Sequence, residues 1–433
     1  MADIRAFRAF RYDLGRVGVL ADVVAPPYDV IDPPLQQRLH EQSPFNVIRL
    51  ILNPEKPTDT EADNRYTRAA RQLKDWVNDG VLVQDSARAL YVYRQEFEVE
   101  GQKHVRRGFL ARVRLEKFGQ GRIYPHEETM SGPKADRLKL FRATAMNLSP
   151  VFGLFPDAEG AVQQELDKAV GRALPLEAKD HLGVVSRLWP VSDQHAVSAV
   201  TGLMGPRPIF IADGHHRYET GLKYLEERTE AGEVKDRDAA ASFILMMLVS
   251  MSDPGLVILP THRLVSDVGD LTAEQLRAKL GEQFKLEPVG AGPQSARSCW
   301  ELMEADGSQK VLGFGTVADG QWHLARHVGS DAIMAGLAPD HTPAWRGLAV
   351  SLLHVLVLGK LLGGKPECKY VHLLSEVNDI VAAKGCQLAV LVPPATMQHV
   401  EQIAGNLEKM PPKSTYFYPK LLSGLVLNSL KTN

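Results

Sequence analysis

The chain has 433 residues, 44% of them hydrophobic and 24% charged, with a formal net charge of −2. That length suits two or three domains with a sizeable core, and the balanced charge gives no global argument for nucleic acid or an anionic membrane. Three cysteines, Cys299, Cys368 and Cys386, without CxxC spacing, argue against a disulfide scaffold or zinc ribbon and fit a reducing cytoplasm.

In chain order, "MADIRAFRAFRYD" is charged and lacks the apolar core of a signal peptide. Pro26-Pro27 and Pro33-Pro34 mark turns. A helix is predicted over 60–79, with Ala62, Tyr66, Ala69, Leu73, Trp76 and Val77 inward and Gly80 as its stop. Residues 89–115 read as a hairpin: Tyr91, Tyr93, Phe97 and Val99 alternate, "EGQK" turns, and Phe109, Ala111, Val113 and Leu115 alternate back. Residues 119–150 show few strand signals and are expected to be loop and helix. Residues 103–144 hold eleven Lys/Arg against four Asp/Glu, a local balance of +7 that favours a polyanionic ligand nearby.

Pro208–Ala212 reads as a short buried strand, Asp213-Gly214 as a turn, and Tyr218, Leu222 and Leu225 fall at helical spacing. Apolar runs follow at 241–251 and 255–259. "VGAGPQSAR" at 289–297 is the expected linker, and "GLAVSLLHVLVLG" at 347–359 is a buried helix too short to span a membrane. "CQLAVLV" at 386–392 reads as a strand. Without repeats or a regular βαβ period, the fold class is α+β, or irregular α/β. The expected regions are 1–88, 89–288 and 298–433.

Three segments can carry chemistry. Asp213-Gly214-His215-His216-Arg217 sits where a strand hands over to a helix, whose N-terminus offers N–H groups and a positive dipole end to an anion, most naturally phosphate. "YPHEETMSGPKADRLKLFRAT" (124–144) crowds His126, Glu127, Glu128, Lys134, Asp136, Arg137, Lys139 and Arg142 together. Adjacent Glu127 and Glu128 diverge, so one can face a site, and a carboxylate among cations is a candidate general base. For Lys139 and Arg142, a solvated helix face is the favoured reading. "MPPKSTYFYPKLLSG" (410–424) offers Lys413, Ser414 and Thr415 behind two prolines, either as phosphate ligands or as a turn into a strand.

Two matches are rejected. "GKLLGGKP" (359–366) has Pro366 where a P-loop has Ser or Thr, and "HEETM" (126–130) lacks a second zinc-ligating histidine. His215 and His216 are adjacent and point apart on a helix, so no structural zinc site is expected.

The chain resembles the DUF1015 family almost end to end, through "VVAPPYDVI" (23–31), "HEETMSGPKADR" (126–137), "ADGHHRYET" (212–220) and "STYFYPK" (414–420). Its three chemical segments also resemble, in order, the Pro-His-Glu, Asp-Gly-His-His-Arg and Ser-Pro-Lys-Thr-Thr-Arg motifs of the archaeal-type free-serine kinase family of the ParB/sulfiredoxin superfamily. That resemblance implies a ParB/sulfiredoxin-like core and phosphoryl transfer from ADP or ATP to free L-serine. It implies Glu127 as general base, and phosphate contacts from Asp213, Gly214, His215, His216, Arg217, Lys413, Ser414 and Thr415. His126, Lys134 and Arg137 would give support, and Mg2+ would accompany the nucleotide. Tyr416 stands where the kinase motif has arginine, and residues 1–88 have no counterpart in it. The alternative from another class is a ParB-like nucleotide- or DNA-binding regulator without turnover. No helix-turn-helix signal accompanies it, so nucleic acid is not the expected partner.

Overall fold

Asn64 opens the first long helix, Arg65–Asn78. Its side chain accepts from the N–H groups of Tyr66 and Thr67, and Thr67 returns the bond to the Asn64 backbone. The cap explains why the helix starts later than its apolar spacing predicts and why Ala62 stays exposed, while Ala69, Leu73 and Trp76 are buried. The computed structural model describes residues 2–128, 131–363 and 366–431, without the side chains of Ser131 and Pro133. It divides into one unit of residues 1–125, 129–257 and 419–433, and a second of residues 126–128 and 258–418.

The first unit is built on a nine-stranded sheet. Its strands run in the order Ile123–Pro125, Ile209–Asp213, Val151–Phe155, Phe243–Ser250, Gln102–Arg114, Leu90–Val99, Val185–Val191 and Leu176–Lys179, and Ile4–Arg5 pairs with Gln102–Arg114. The expected hairpin is Leu90–Val99 with Gln102–Arg114. Its turn residues Glu100 and Gly101 both have positive φ, as a two-residue hairpin turn requires. One sheet face buries Phe109, Ala111, Val113, Ile209, Ile211, Ile244, Met246 and Leu248 in a core shared with flanking helices.

Residues 119–150 depart from expectation. Ile123–Pro125 is a strand, parallel to Ile209–Asp213 and held by it rather than by its own propensity. The helix Ser131–Thr144 follows, with Phe141 buried. Acids elsewhere in the chain absorb part of the charge of the +7 segment. Arg107 pairs with Asp253, Arg114 with Asp3 and Asp238, Lys134 with Glu219 and Arg142 with Glu227. Lys139 and Arg142 lie on an exposed helix face, as favoured.

The second unit carries a six-stranded sheet in the order Phe284–Ala291, Gln321–His327, Val311–Thr316, Leu388–Leu391, His262–Ser266 and Glu367–Val371. Alternation sends Val265, Phe314 and Val390 to one core and Leu264, Ala389 and Leu391 to another, so both faces are covered. The expected buried helix at 347–359 is a short α-turn, Ala349–Ser351, continued by a π-helix over Leu352–Leu362. The expected linker at 289–297 is instead the end of the Phe284–Ala291 strand and the first turn of the helix Pro293–Asp306. Gly290 sits at a register shift in the strand, and Gly292 precedes Pro293 at the helix start, so both glycines have work inside elements. Gly364 and Lys365 of the rejected P-loop match, and Thr129-Met130, lie outside the described residues.

Candidate functional site

The Asp-Gly-His-His-Arg segment is delivered as its sequence predicts. Ile209–Asp213 is a strand with Ile209 to Ala212 buried, and His215 is the first residue of the 16-residue helix His215–Glu230. Gly214 makes the hand-over at φ 87, a left-handed conformation that favours glycine. A Cβ there would also stand 2.9 Å from Arg217 Nε. No side chain caps this helix start. In parallel register, Ile123, Tyr124 and Pro125 face Ile209, Phe210 and Ile211. The strands that end at Pro125 and Asp213 are therefore parallel neighbours.

Within the first unit, Asp213 organises the cations. Lys420 Nζ lies 2.6 Å from Asp213 Oδ1, and Arg217 Nη2 lies 2.6 Å from Oδ2. Burial alone would raise the carboxyl pKa. Lys420 first, then Arg217, more than reverse this and hold Asp213 well below the usual carboxylate range. Arg217 is 5% exposed, and its Nη1 donates to the Pro150 carbonyl. Its burial follows from the i, i+4 pairing with Asp213 across the glycine turn. His215 is buried and His216 half-buried. One carboxylate, two fixed cations and two imidazoles at a helix N-terminus form a net positive cluster suited to an anion.

Of the support residues, Arg137 is buried in local contacts. It donates to Asp136 and to the Ile51 carbonyl at 2.9 Å, and its guanidinium lies 4.0 Å from the Tyr28 ring centroid. Lys134 Nζ sits 2.7 Å from Glu219 Oε2. Both have protein partners that account for their charge.

The second unit joins the first and third motifs. Glu127 bridges Met410 in parallel, with the Met410 N–H donating to the His126 carbonyl at 2.8 Å. His126 is fully buried, and its Nε2 lies 2.7 Å from Thr415 Oγ1. The Lys413 N–H donates to Glu127 Oε1, and Ser414 Oγ donates to the Pro411 carbonyl at 2.6 Å. Lys413 has φ 60, an uncommon backbone for a residue with a side chain. Glu127 is partly buried and Glu128 exposed, so the two do diverge. The turn into a strand expected after Thr415 is present as Tyr416–Tyr418, and the Tyr416 ring stacks on His372 at 3.5 Å between centroids.

Sequence reasoning missed two residues. Lys420 ends the quoted "STYFYPK" segment, so a signal was present, but its partner Asp213 lies 207 positions away. Arg263, almost wholly buried, donates from Nη2 to the Lys413 carbonyl at 2.8 Å, and nothing local in the sequence marks it. Burial lowers its pKa to about 10, which leaves it charged at neutral pH. Among the described residues no group of three His, Cys, Asp or Glu is arranged to hold a metal ion, and no helix is long and apolar enough to cross a membrane.

Among solved structures, a free serine kinase in complex with AMP aligns at 12% identity and TM-score 0.33, covering 68% of this chain and 83% of that one. A conserved hypothetical protein from Pyrococcus furiosus aligns at 12% identity and TM-score 0.31, covering 68% and 87%. SbnI with a C-terminal truncation, from Staphylococcus aureus, aligns at 11% identity and TM-score 0.32, covering 73% and 86%. These likenesses are too loose to establish a shared fold. No curated protein matches the chain. The family model described as "Protein of unknown function (DUF1015)" matches residues 4–351, and the chain belongs to that family.

Proposed function

We propose that this chain is a nucleotide-dependent small-molecule kinase that phosphorylates the hydroxyl of free L-serine to O-phosphoserine, on a ParB/sulfiredoxin-like core within residues 89–288. Residues 298–433 serve the nucleotide, and 1–88 are a family-specific addition. The observation that carries the reading is the parallel register of Ile123–Pro125 with Ile209–Asp213, from which two of the three motifs depart.

In this reading the serine hydroxyl oxygen attacks the terminal phosphorus of ADP or ATP. The bond from that phosphorus to the bridging oxygen breaks, releasing AMP or ADP, and Glu127 accepts the hydroxyl proton. The N–H groups at His215 and His216, with the imidazoles, meet phosphate oxygens. Asp213 holds Lys420 and Arg217 as fixed positive charges beside them, rather than binding phosphate with its own carboxylate. Lys413, Ser414 and Thr415 contribute from a turn that Glu127 and His126 hold in place. Mg2+ would arrive on the nucleotide, keeping several waters.

A ParB-like nucleotide- or DNA-binding regulator without turnover is the second reading. It is favoured by the bond from the Lys413 N–H to Glu127, which gives that carboxylate a structural task. The test incubates the full chain with L-serine, Mg2+ and either ADP or ATP, and assays O-phosphoserine by mass spectrometry. Product formation supports the kinase. Saturable nucleotide or DNA binding without product supports the regulator. Neither product nor binding overturns both.

A further inference from the structure

A cavity of about 220 Å3 in the first unit, apart from the residues assigned above, is lined by Arg8, Arg88, Arg112 and Lys431, with Gln84 and Asp238. Phe7 and Ala89 exchange both backbone hydrogen bonds, at 3.0 and 2.9 Å, as an antiparallel bridge. The next residues outward, Arg8 and Arg88, are thereby set opposite one another, an arrangement that disfavours like charges unless something neutralises them. Arg112 rises from the central strand Gln102–Arg114 at a fixed register opposite Arg5. Its Cζ lies 4.9 Å from the Phe243 ring centroid, and its Nε is buried without a hydrogen-bond partner among the described residues.

None of these four cations forms an ion pair among the described residues. Arg8 donates from Nε to the Asp85 carbonyl. The one acid at the wall, Asp238, is already committed to Arg5 at 2.9 Å and Arg114 at 2.8 Å. Burial first, then the charges of Arg88 and Arg5, push the Arg112 pKa down to about 10, so it stays protonated at neutral pH while its surroundings disfavour the charge.

We propose that this cavity is a binding site for a compact dianion, a small dicarboxylate or phosphomonoester, separate from the Asp-Gly-His-His-Arg motif. Arginine forks present paired N–H donors that match carboxylate and phosphate oxygens two at a time. Three converging guanidiniums and an ammonium suit two negative charges better than one.

The experiment titrates the full chain calorimetrically with succinate and with inorganic phosphate at constant ionic strength. It is repeated on Arg88→Gln and Lys431→Gln, whose exposed side chains leave the fold intact, as melting curves verify. Succinate is also titrated in saturating ADP. Expected are saturable binding of at least one probe, affinity lowered about tenfold or more in each variant, and succinate affinity unchanged by ADP. Binding of succinate alone assigns the dicarboxylate class, and binding of phosphate alone the phosphomonoester class. No saturable binding of either probe, unchanged affinity in both variants, or loss of succinate binding in ADP would each overturn the proposal.

Discussion

Asp213→Asn tests whether one carboxylate organises the cations at the strand-to-helix hand-over. The substitution keeps the shape of the side chain and removes its charge. In the wild type each oxygen receives a cation at 2.6 Å, from Lys420 and from Arg217. Removing one partner from a buried ion pair costs about 3–5 kcal/mol, because the other charge is left uncompensated. Lys420 is 13% exposed at its side chain and Arg217 retains the Pro150 carbonyl, so the lower end applies, about 3 kcal/mol. For a unit of this size that is roughly 5–10 °C in melting temperature.

The sign of the pH dependence follows from the depressed carboxyl. Its stabilisation is complete above the unfolded-state pKa, near 3.9, and drains away as pH falls toward the folded value. The gap between wild type and Asp213→Asn should therefore be full at pH 7 and narrow below about pH 4. Calorimetric melts of both proteins across that range measure it. A variant that melts within about a degree of wild type at neutral pH, against the expected 5–10 °C, would refute the reasoning.

Gly214→Ala should destabilise by about 1–3 kcal/mol, since it meets both a positive φ and the Arg217 guanidinium; Gly202→Ala, where a Cβ meets nothing within 4 Å, should gain up to about 1 kcal/mol in the same melts. Thr415→Val leaves buried His126 Nε2 without the Thr415 hydroxyl and should cost about 1–3 kcal/mol, whereas Thr415→Ser should recover most of it; equal melting of the two variants would count against the bond. His262 is buried, and desolvation first, then Arg263, lowers its pKa to about 3. The unfolded chain binds a proton near pH 6.5 that the folded one refuses, so stability should fall by on the order of 4 kcal/mol between about pH 6.5 and 3. His262→Asn, which cannot titrate, should flatten that slope in denaturant melts, and an unchanged slope would assign it elsewhere.

The hand-over at 209–217 was legible because its signals are local: an apolar run, a turn pair and helical spacing. The burial of Arg217 was not legible, because it depends on Asp213, itself held by a lysine 207 residues away. The strand Ile123–Pro125 was missed because three residues among charged neighbours carry no period; its pairing partner lies beyond three helices and four other strands. The +7 balance overstates the unpaired charge for a related reason. Composition counts charges within a window, while Asp253, Asp3, Asp238, Glu219 and Glu227 come from outside it. Gly290 and Gly292 read as a linker because a register shift and a helix start use the same residue that a flexible tether does. The meeting of His126 with Thr415 was foreshadowed only by motif order, since no spacing rule joins residues 289 positions apart.

The central claim is that the chain transfers phosphate to serine with Glu127 as base. A quench-flow measurement of O-phosphoserine formed by wild type, Glu127→Gln and Glu128→Gln, with L-serine, Mg2+ and ADP or ATP, tests it most directly. Wild type should form product. Glu127→Gln, which keeps an acceptor for the Lys413 N–H but loses basicity, should be slower by roughly 10²–10⁴-fold with nucleotide affinity little changed. Glu128→Gln, exposed in the wild type, should retain most activity. Absence of product from wild type with either nucleotide, or a Glu127→Gln rate equal to wild type, would contradict the claim.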